Sequence, residues 1–320
     1  MKGGIHCCLA GCFNYNPCLD HPLLCCRIGD CFSGYTILHP MDHKYPEIFN
    51  PGIGATDELS LRVSVGALVR LLFEKPWDRE LMLALERKAT LLDREHGHVV
   101  DVKSQPFGGA IQLLDVGALR KRIGHFHFDS EESRAEQDFR IFIRPAEWRT
   151  VREFCLGHLG QLNDPVLETD PTRELMEEFA DTLGIKPERD QFTLRAVGTI
   201  VEDHPSATEY IYARGYPTAR IYRIFEAHIL DSSLASLMIR NSETCSDQDL
   251  GELALEDFRK GGRGRANAVL TLPFEEINAS YLAVPLEARN SPTWFQDHQL
   301  DETVAAVLEG VSVPKYRRLS

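Results

Sequence analysis

The chain has 320 residues, 43% of them hydrophobic and 26% charged, and carries a net charge of −13. That composition excludes disordered, collagen-like and coiled-coil classes. No apolar run reaches the ~20 residues of a membrane-spanning helix, and the acidic balance argues against general nucleic-acid binding. Small phosphorylated ligands stay open, because a bound divalent cation inverts the local sign of charge.

The chain holds nine cysteines, and seven of them (Cys7, Cys8, Cys12, Cys18, Cys25, Cys26 and Cys31) lie within its first tenth. The other two, Cys155 and Cys245, are too far apart to suggest a disulfide framework for the body. Residues 1–56 are rich in turn formers and show no sustained apolar period. They do not read as a secretion signal. Three readings remain open for them. The thiols with His6, His21, His39 and His43 could bind zinc, though without paired Cys-x-x-Cys knuckles. Vicinal cysteines could be lipidated. The plainest reading is a poorly ordered extension.

The texture changes at Leu61. Leu61–Phe73 reads as a buried strand, rich in Val and Leu. Residues 74–78 form a turn, and Glu80–Arg87 reads equally as a strand or a short helix. Pro106-Phe107-Gly108-Gly109-Ala110-Ile111 leads into a further strand, where paired glycines allow close backbone approach. Asp138–Arg144 alternates as a strand does, and Ala146–Leu162 has helical spacing. Asp170 is an N-cap candidate with Pro171 at the first helical position. The helix runs to Leu183 and stops at Gly184. Leu175, Phe179 and Leu183 supply its buried stripe, while Glu174, Glu177 and Glu178 share another face. Strand-like segments follow at Phe192–Glu202, Ala219–Leu230 and Ala268–Phe274. Residues 231–266 read as a polar loop, with glycines at 261–264. The tail from Asn290 ends in a short amphipathic helix at about Asp301–Leu308. Strands around a central helix make an α/β (α+β) fold. The expected organisation is an extension at 1–56, a domain at 57–290 and a tail at 291–320.

Three carboxylates on one helix face repel each other unless they are solvated or neutralised. Hard oxygen ligands at Glu174, Glu177 and Glu178 suit Mg²⁺ or Mn²⁺ better than zinc. Arg173 can neutralise part of the charge or orient one carboxylate.

Arg173-Glu174-Leu175-Met176-Glu177-Glu178 resembles the second half of the Nudix box, Arg-Glu-aliphatic-x-Glu-Glu. The first half, Gly, five residues, then Glu, is similar to Gly109 through Asp115, with Asp in place of Glu. The order of the flanking elements also resembles the Nudix family, over roughly residues 57–285. Two departures stand out. Residues 116–172 separate the half-motifs, so 116–169 read as an insertion carrying its own strand and helix, a lid or specificity element. The glycine expected two residues after the last Glu is Ala180, and Gly184 arrives about one turn later.

The resemblance implies a mixed sheet sandwiched between helices. It also implies Mg²⁺- or Mn²⁺-dependent hydrolysis of a nucleoside diphosphate linked to another moiety. Glu174, Glu177, Glu178 and the Gly109 carbonyl become metal-ligand candidates. Glu174, Arg173 and Asp115 become catalytic candidates, with water activated at the metal. The alternative is a Nudix-like module that senses or binds a nucleotide without cleaving it. A further acid is expected from Glu243, Asp247, Asp249, Glu252, Glu256 or Asp257. Smaller signals are His125 and His127, alternating with Phe126 and Phe128, and Arg263 and Arg265, able to meet phosphate. Tyr210, Tyr212, Tyr216 and Tyr222 could stack a base. The expected partner is a small phosphorylated nucleotide-type substrate, with no membrane and no nucleic acid, in the cytoplasm.

Overall fold

Leu61–Glu74 forms strand β1, and its alternation organises the molecule. Val63, Val65, Ala67, Val69, Leu71 and Phe73 enter one hydrophobic cluster, while Leu68 and Leu72 enter another. A strand buried on both faces reads as a continuous apolar run because each parity has its own core to fill. The computed structural model describes residues 59–91, 100–161, 163–202, 205–208, 213–288, 293–308 and 316–319. All of these lie in one compact unit, Lys44–Ser320. The readings of residues 1–56, including the cysteine-rich segment, and of Tyr210 and Tyr212 fall outside the described residues.

The other strands are β2 (Leu81–Leu91), β3 (Val100–Gln105), β4 (His127–Phe128), β5 (Arg140–Ile143) and β6 (Phe192–Glu202). They continue as β7 (Ser206–Ala207), β8 (Pro217–Ile229), β9 (Arg265–Pro273), β10 (Thr293–Phe295), β11 (His298–Leu300) and β12 (Tyr316–Leu319). The main path of the sheet is β10-β11-β3-β2-β1-β8-β6-β12, and β9 pairs with β2. β1 and β8 are parallel while β2, β5 and β6 join antiparallel, so the sheet is mixed and open. The helices are α1 (Val116–Ile123), α2 (Glu131–Glu136), α3 (Trp148–Leu159), α4 (Thr172–Leu183), α5 (Ser232–Thr244), α6 (Asp247–Arg259), α7 (Phe274–Ala283) and α8 (Thr303–Val307). Side chains of α3, α4 and α5 pack on the odd-numbered face of β1, and those of α7 and α8 on its even face. The expected α/β sheet between helices is what the chain forms. None of the described helices is long and apolar enough to cross a membrane.

Several expectations need correction. Of the two readings of Glu80–Arg87, strand is the one that forms, and it runs over Leu81–Leu91. The polar 231–266 segment is mostly two helices rather than a loop. Asp231 caps α5 by accepting from the Leu234 N–H at 2.7 Å, and Ser246 and Asp249 form a capping box on α6. Their buried stripes are short: Leu234, Ala235, Met238 and Ile239 on one, Leu250 and Ala254 on the other. Residues 116–169 hold three helices and two strands, not one of each. Here β5 pairs with β1 from Leu61↔Ile143 to Ser64↔Arg140, and Phe139, Ile141, Trp148, Val151 and Phe154 enter the main core. The segment thus joins the sheet through β5 and the core through α3. The tail also joins the sheet: β11 meets β3, β12 meets β6, and Val304–Leu308 are buried. Pro106–Ile111 is not a regular strand. It touches β1 through the single bridges Val69↔Phe107 and Gly66↔Ala110.

Candidate active site

Two features make the site: the loop 106–111 and helix α4. β2 pairs with β1 only from Leu81 to Ala84, and with β3 from Glu86 to Leu91. Loop 106–111 continues from β3 into the place beside β1 that β2 has left. Its hold on β1 is backbone: Val69 N–H donates to Phe107 O at 2.7 Å, Ala67 N–H to Gly109 O at 2.9 Å, and Ile111 N–H to Val65 O at 3.1 Å. Gly108 has φ +123°, and a Cβ there would lie 2.1 Å from the Ala67 carbonyl oxygen. Only glycine fits such a position. Phe107 stacks on Phe179 of α4, with ring centroids 5.4 Å apart, and so binds helix to loop.

Helix α4 forms because Leu175 and Phe179 bury one stripe completely. Asp170 Oδ1 accepts from the Thr172 N–H at 2.9 Å, while the residue preceding the helix is Pro171, so the cap falls one residue later than expected. Gly184 ends the helix at φ +69°. The carboxylate face meets the loop. Glu178 accepts a hydrogen bond from the Gly108 N–H. A Cβ on Gly109 would lie 1.8 Å from Glu174 Oε2, so glycine is what admits that carboxylate. The Gly109 carbonyl already accepts from Ala67, which leaves its second lone pair.

Arg173 gathers the acids. Its Nη2 lies 2.5 Å from Glu174 Oε1 and 2.7 Å from Glu168 Oε2, and its Nη1 lies 3.0 Å from Glu177 Oε2. It also donates to the Ala110 carbonyl at 3.2 Å, tying the helix start to the loop. Glu177 is the outlying member, with its side chain 55% exposed against 13% for Glu174.

Sequence reading missed Glu86. It lies on the face of β2 whose Met82 and Ala84 pack with α4. Its residue exposure is 1%, it accepts from Gln105 Nε2 at 2.8 Å and from Lys88 Nζ at 3.1 Å, and its Oε1 is buried with no partner. A period-2 reading of Leu81–Leu91 would have placed Met82, Ala84, Glu86 and Lys88 together.

Electrostatics tie these groups into one unit. Burial pushes Glu174 up to about 7, with Asp138 and Glu177 adding to it and Arg173 opposing. Burial also holds Glu178 well above the usual carboxylate range, reinforced by Glu86 and opposed by Lys88 and the Gly108 N–H. Burial works against the Lys88 ammonium, but Glu86 and Glu178 outweigh it and its pKa is raised. Desolvated carboxylates close enough to repel each other lack positive charge.

Asp115 caps α1, its Oδ1 accepting from the Ala118 N–H at 2.9 Å. The candidates in 231–266 are mostly engaged elsewhere. Asp247 pairs with Arg87, Asp249 caps α6, and Glu256 pairs with Lys260. Glu252 accepts from Gln248, and Asp257 accepts from the Gly264 N–H at 2.9 Å. His125 and His127 are exposed and contact each other, Nε2 to Nε2, at 3.0 Å. Among the described residues no group of three or more His, Cys, Asp or Glu side chains stands at metal-binding spacing. Glu174 and Glu178 are instead turned onto Arg173 and the Gly108 N–H. Glu86 Oε1 is buried without a partner, a hard oxygen of the type divalent cations take as ligand, and Glu86 acts electrostatically on Glu178. The chain matches no protein-family model, no curated protein and no solved structure.

Proposed function

We propose that the chain is a Nudix-type hydrolase, acting on a nucleoside diphosphate linked to another moiety with Mg²⁺ or Mn²⁺. The observation that carries this is that Glu174 and Glu178 of α4 both meet the glycine pair Gly108-Gly109, with Glu86 of β2 acting electrostatically on Glu178. Glu174 and Glu178, with Glu86 and the second lone pair of the Gly109 carbonyl, are the groups that would hold the cation, and Glu177 is their exposed neighbour. A bound divalent cation supplies charge neutralisation at the diphosphate and makes water a usable nucleophile near neutral pH. The chain's own residues do the rest. Arg173 fixes the rotamers of Glu174 and Glu177 through its fork of donors. Burial raises the Glu174 carboxyl to about 7 in the metal-free chain, and a bound cation would return it to its ionised form, able to hold the cation or take a proton from water. Lys88 offsets the charge of Glu86 and Glu178 until cation and substrate arrive. Asp115 contributes by capping α1, not by proton transfer.

The interrupted box and the use of Asp115 as a cap favour a second reading, in which the same site binds a nucleotide without turnover. A panel of nucleotide-sugars, dinucleotides and nucleoside triphosphates with Mg²⁺ separates the two. Product release by wild type that is lost in Glu178→Gln supports hydrolysis. Equal release by both proteins refutes it, and stoichiometric calorimetric binding with no turnover over hours selects the second reading.

A further inference from the structure

We propose that Arg265 and Asn267 of β9, with Lys88 of β2, form an anion subsite that takes the second phosphoryl group of a diphosphate ligand. The proposal rests on the reading of the α4 face as a phosphate site and adds the residues that measure the length of the ligand. β9 pairs with β2 in the register Glu86↔Val269, Lys88↔Asn267 and Thr90↔Arg265. Val269 packs in the same cluster as Leu175 and Phe179 of α4. Strand alternation therefore turns Arg265 and Asn267 to the same face as Glu86 and Lys88. Asn267 is diagonal to Glu86 across the two strands, a distance at which side chains interact.

Three observations single out this strip. Asn267 Oδ1 is buried and unpartnered, as is Glu86 Oε1, so two neighbouring polar groups on one face are left unsatisfied. Buried polar groups normally have partners, and an orphaned one calls for an explanation. Both atoms are acceptors; with its amide turned over, Asn267 would present its NH₂ donor to an anion at this position. Second, no carboxylate stands within ion-pair distance of the Arg265 guanidinium among the described residues, while Lys88 on the same face pairs with Glu86 at 3.1 Å. Third, the backbone holds Arg265 in place. Asp257 Oδ2 accepts from the Gly264 N–H at 2.9 Å and from the Arg265 N–H at 3.4 Å, and Leu91 N–H donates to the Gly264 carbonyl at 3.0 Å. Gly264 makes this turn at φ +68°. Arg263, the neighbouring arginine, is instead paired with Glu132 of α2 at 2.6 Å. A single ammonium and a guanidinium fork beside a carboxylate cluster suit a two-phosphate ligand: cation and carboxylates at one phosphoryl group, Lys88, Arg265 and Asn267 at the next.

The test is calorimetry on the full chain with Mg²⁺, titrating imidodiphosphate and, separately, orthophosphate. Wild type should bind imidodiphosphate more tightly than orthophosphate. Arg265→Gln should lose about tenfold or more of the imidodiphosphate affinity, and Arg265→Lys should recover part of it. Orthophosphate binding should change by less than about threefold in both variants. Asn267→Asp, which places a negative charge in the subsite, should weaken imidodiphosphate binding more than Asn267→Ser. Melting temperatures of the four variants should stay near that of wild type, which excludes a merely structural role. If Arg265→Gln binds imidodiphosphate as wild type does, the subsite is refuted and the hydrolase reading stands. If wild type binds neither anion, both are refuted.

Discussion

Gly108 and Gly109 are adjacent, yet alanine at the two positions should have opposite consequences. At Gly109 a Cβ would lie 1.8 Å from Glu174 Oε2, and a tolerable contact begins at 3.0 Å. The carboxylate must retreat by about 1.2 Å, and it can, because it ends a flexible side chain. Gly109 is not in the left-handed region, so alanine also removes unfolded-state entropy and gains ~0.4–1 kcal/mol. Loosening the half-buried Arg173–Glu174 pair offsets this by up to about 1 kcal/mol. Gly109→Ala should therefore fold with stability within about 1 kcal/mol of wild type. Its activity should fall by about 100-fold, since a displacement of that size at a reacting centre costs about that much. At Gly108 the obstacle is backbone: φ is +123° and the Cβ would lie 2.1 Å from the Ala67 carbonyl. Gly108→Ala should lose at least about 3 kcal/mol or fail to fold. Urea denaturation and the Mg²⁺-dependent substrate panel on both variants decide the matter. A Gly109→Ala protein with full activity, or a Gly108→Ala protein as stable as wild type, would refute the packing of α4 on this loop.

Other perturbations report on the same site. Burial raises Glu174 from 4.5 to about 7 in the folded chain, so the folded state holds its proton more tightly than the unfolded state. Metal-free protein should thus lose stability as pH rises from about 4.5 to about 7, by up to ~3 kcal/mol from this group. Glu174→Gln should flatten that slope in EDTA, and a wild-type stability level across the window would contradict the assignment. Millimolar Mg²⁺ should raise the melting temperature of wild type at pH 8 and leave Glu178→Gln unmoved, with equal shifts counting against the site. Phe179→Ala removes the ring that stacks on Phe107 and is fully buried; denaturation should show a loss of ~3–5 kcal/mol. Glu86→Gln keeps the shape of the side chain, and Mn²⁺ affinity should fall about tenfold while the fold is retained.

The parts of the fold that were legible in the sequence are those with strong local signals. β1 was readable because both its faces are buried, and α4 because Leu175, Phe179 and Gly184 mark a stripe and a stop. The helices α5 and α6 were missed because alanine supplies part of each short buried stripe, leaving a polar average; their caps, Asp231 and Ser246, were the usable signals. The integration of residues 116–169 could not be read locally, since Ile143 reaches the core only by pairing with Leu61, 82 residues earlier. In the site, Glu174 and Glu178 belong to one helix and were visible in its spacing. Glu86, Lys88, Asn267 and Arg265 come together only through the register of β2 with β9, which fixes their common face. Asp115 matches a motif position and also satisfies the rule for a helix cap, and the structure shows the cap.

In the proposed hydrolase, Glu86, Glu174 and Glu178 together hold a hard divalent cation. Titration of the full chain with Mn²⁺, followed by electron paramagnetic resonance of the free ion, tests it most directly. Mn²⁺ prefers oxygen to sulfur ligands, so the N-terminal thiols interfere little. Wild type should take up Mn²⁺ in competition with Mg²⁺, and Glu178→Gln should lose that uptake while staying folded. No Mn²⁺ uptake by wild type at millimolar concentration, or the same uptake in both proteins, would contradict the claim.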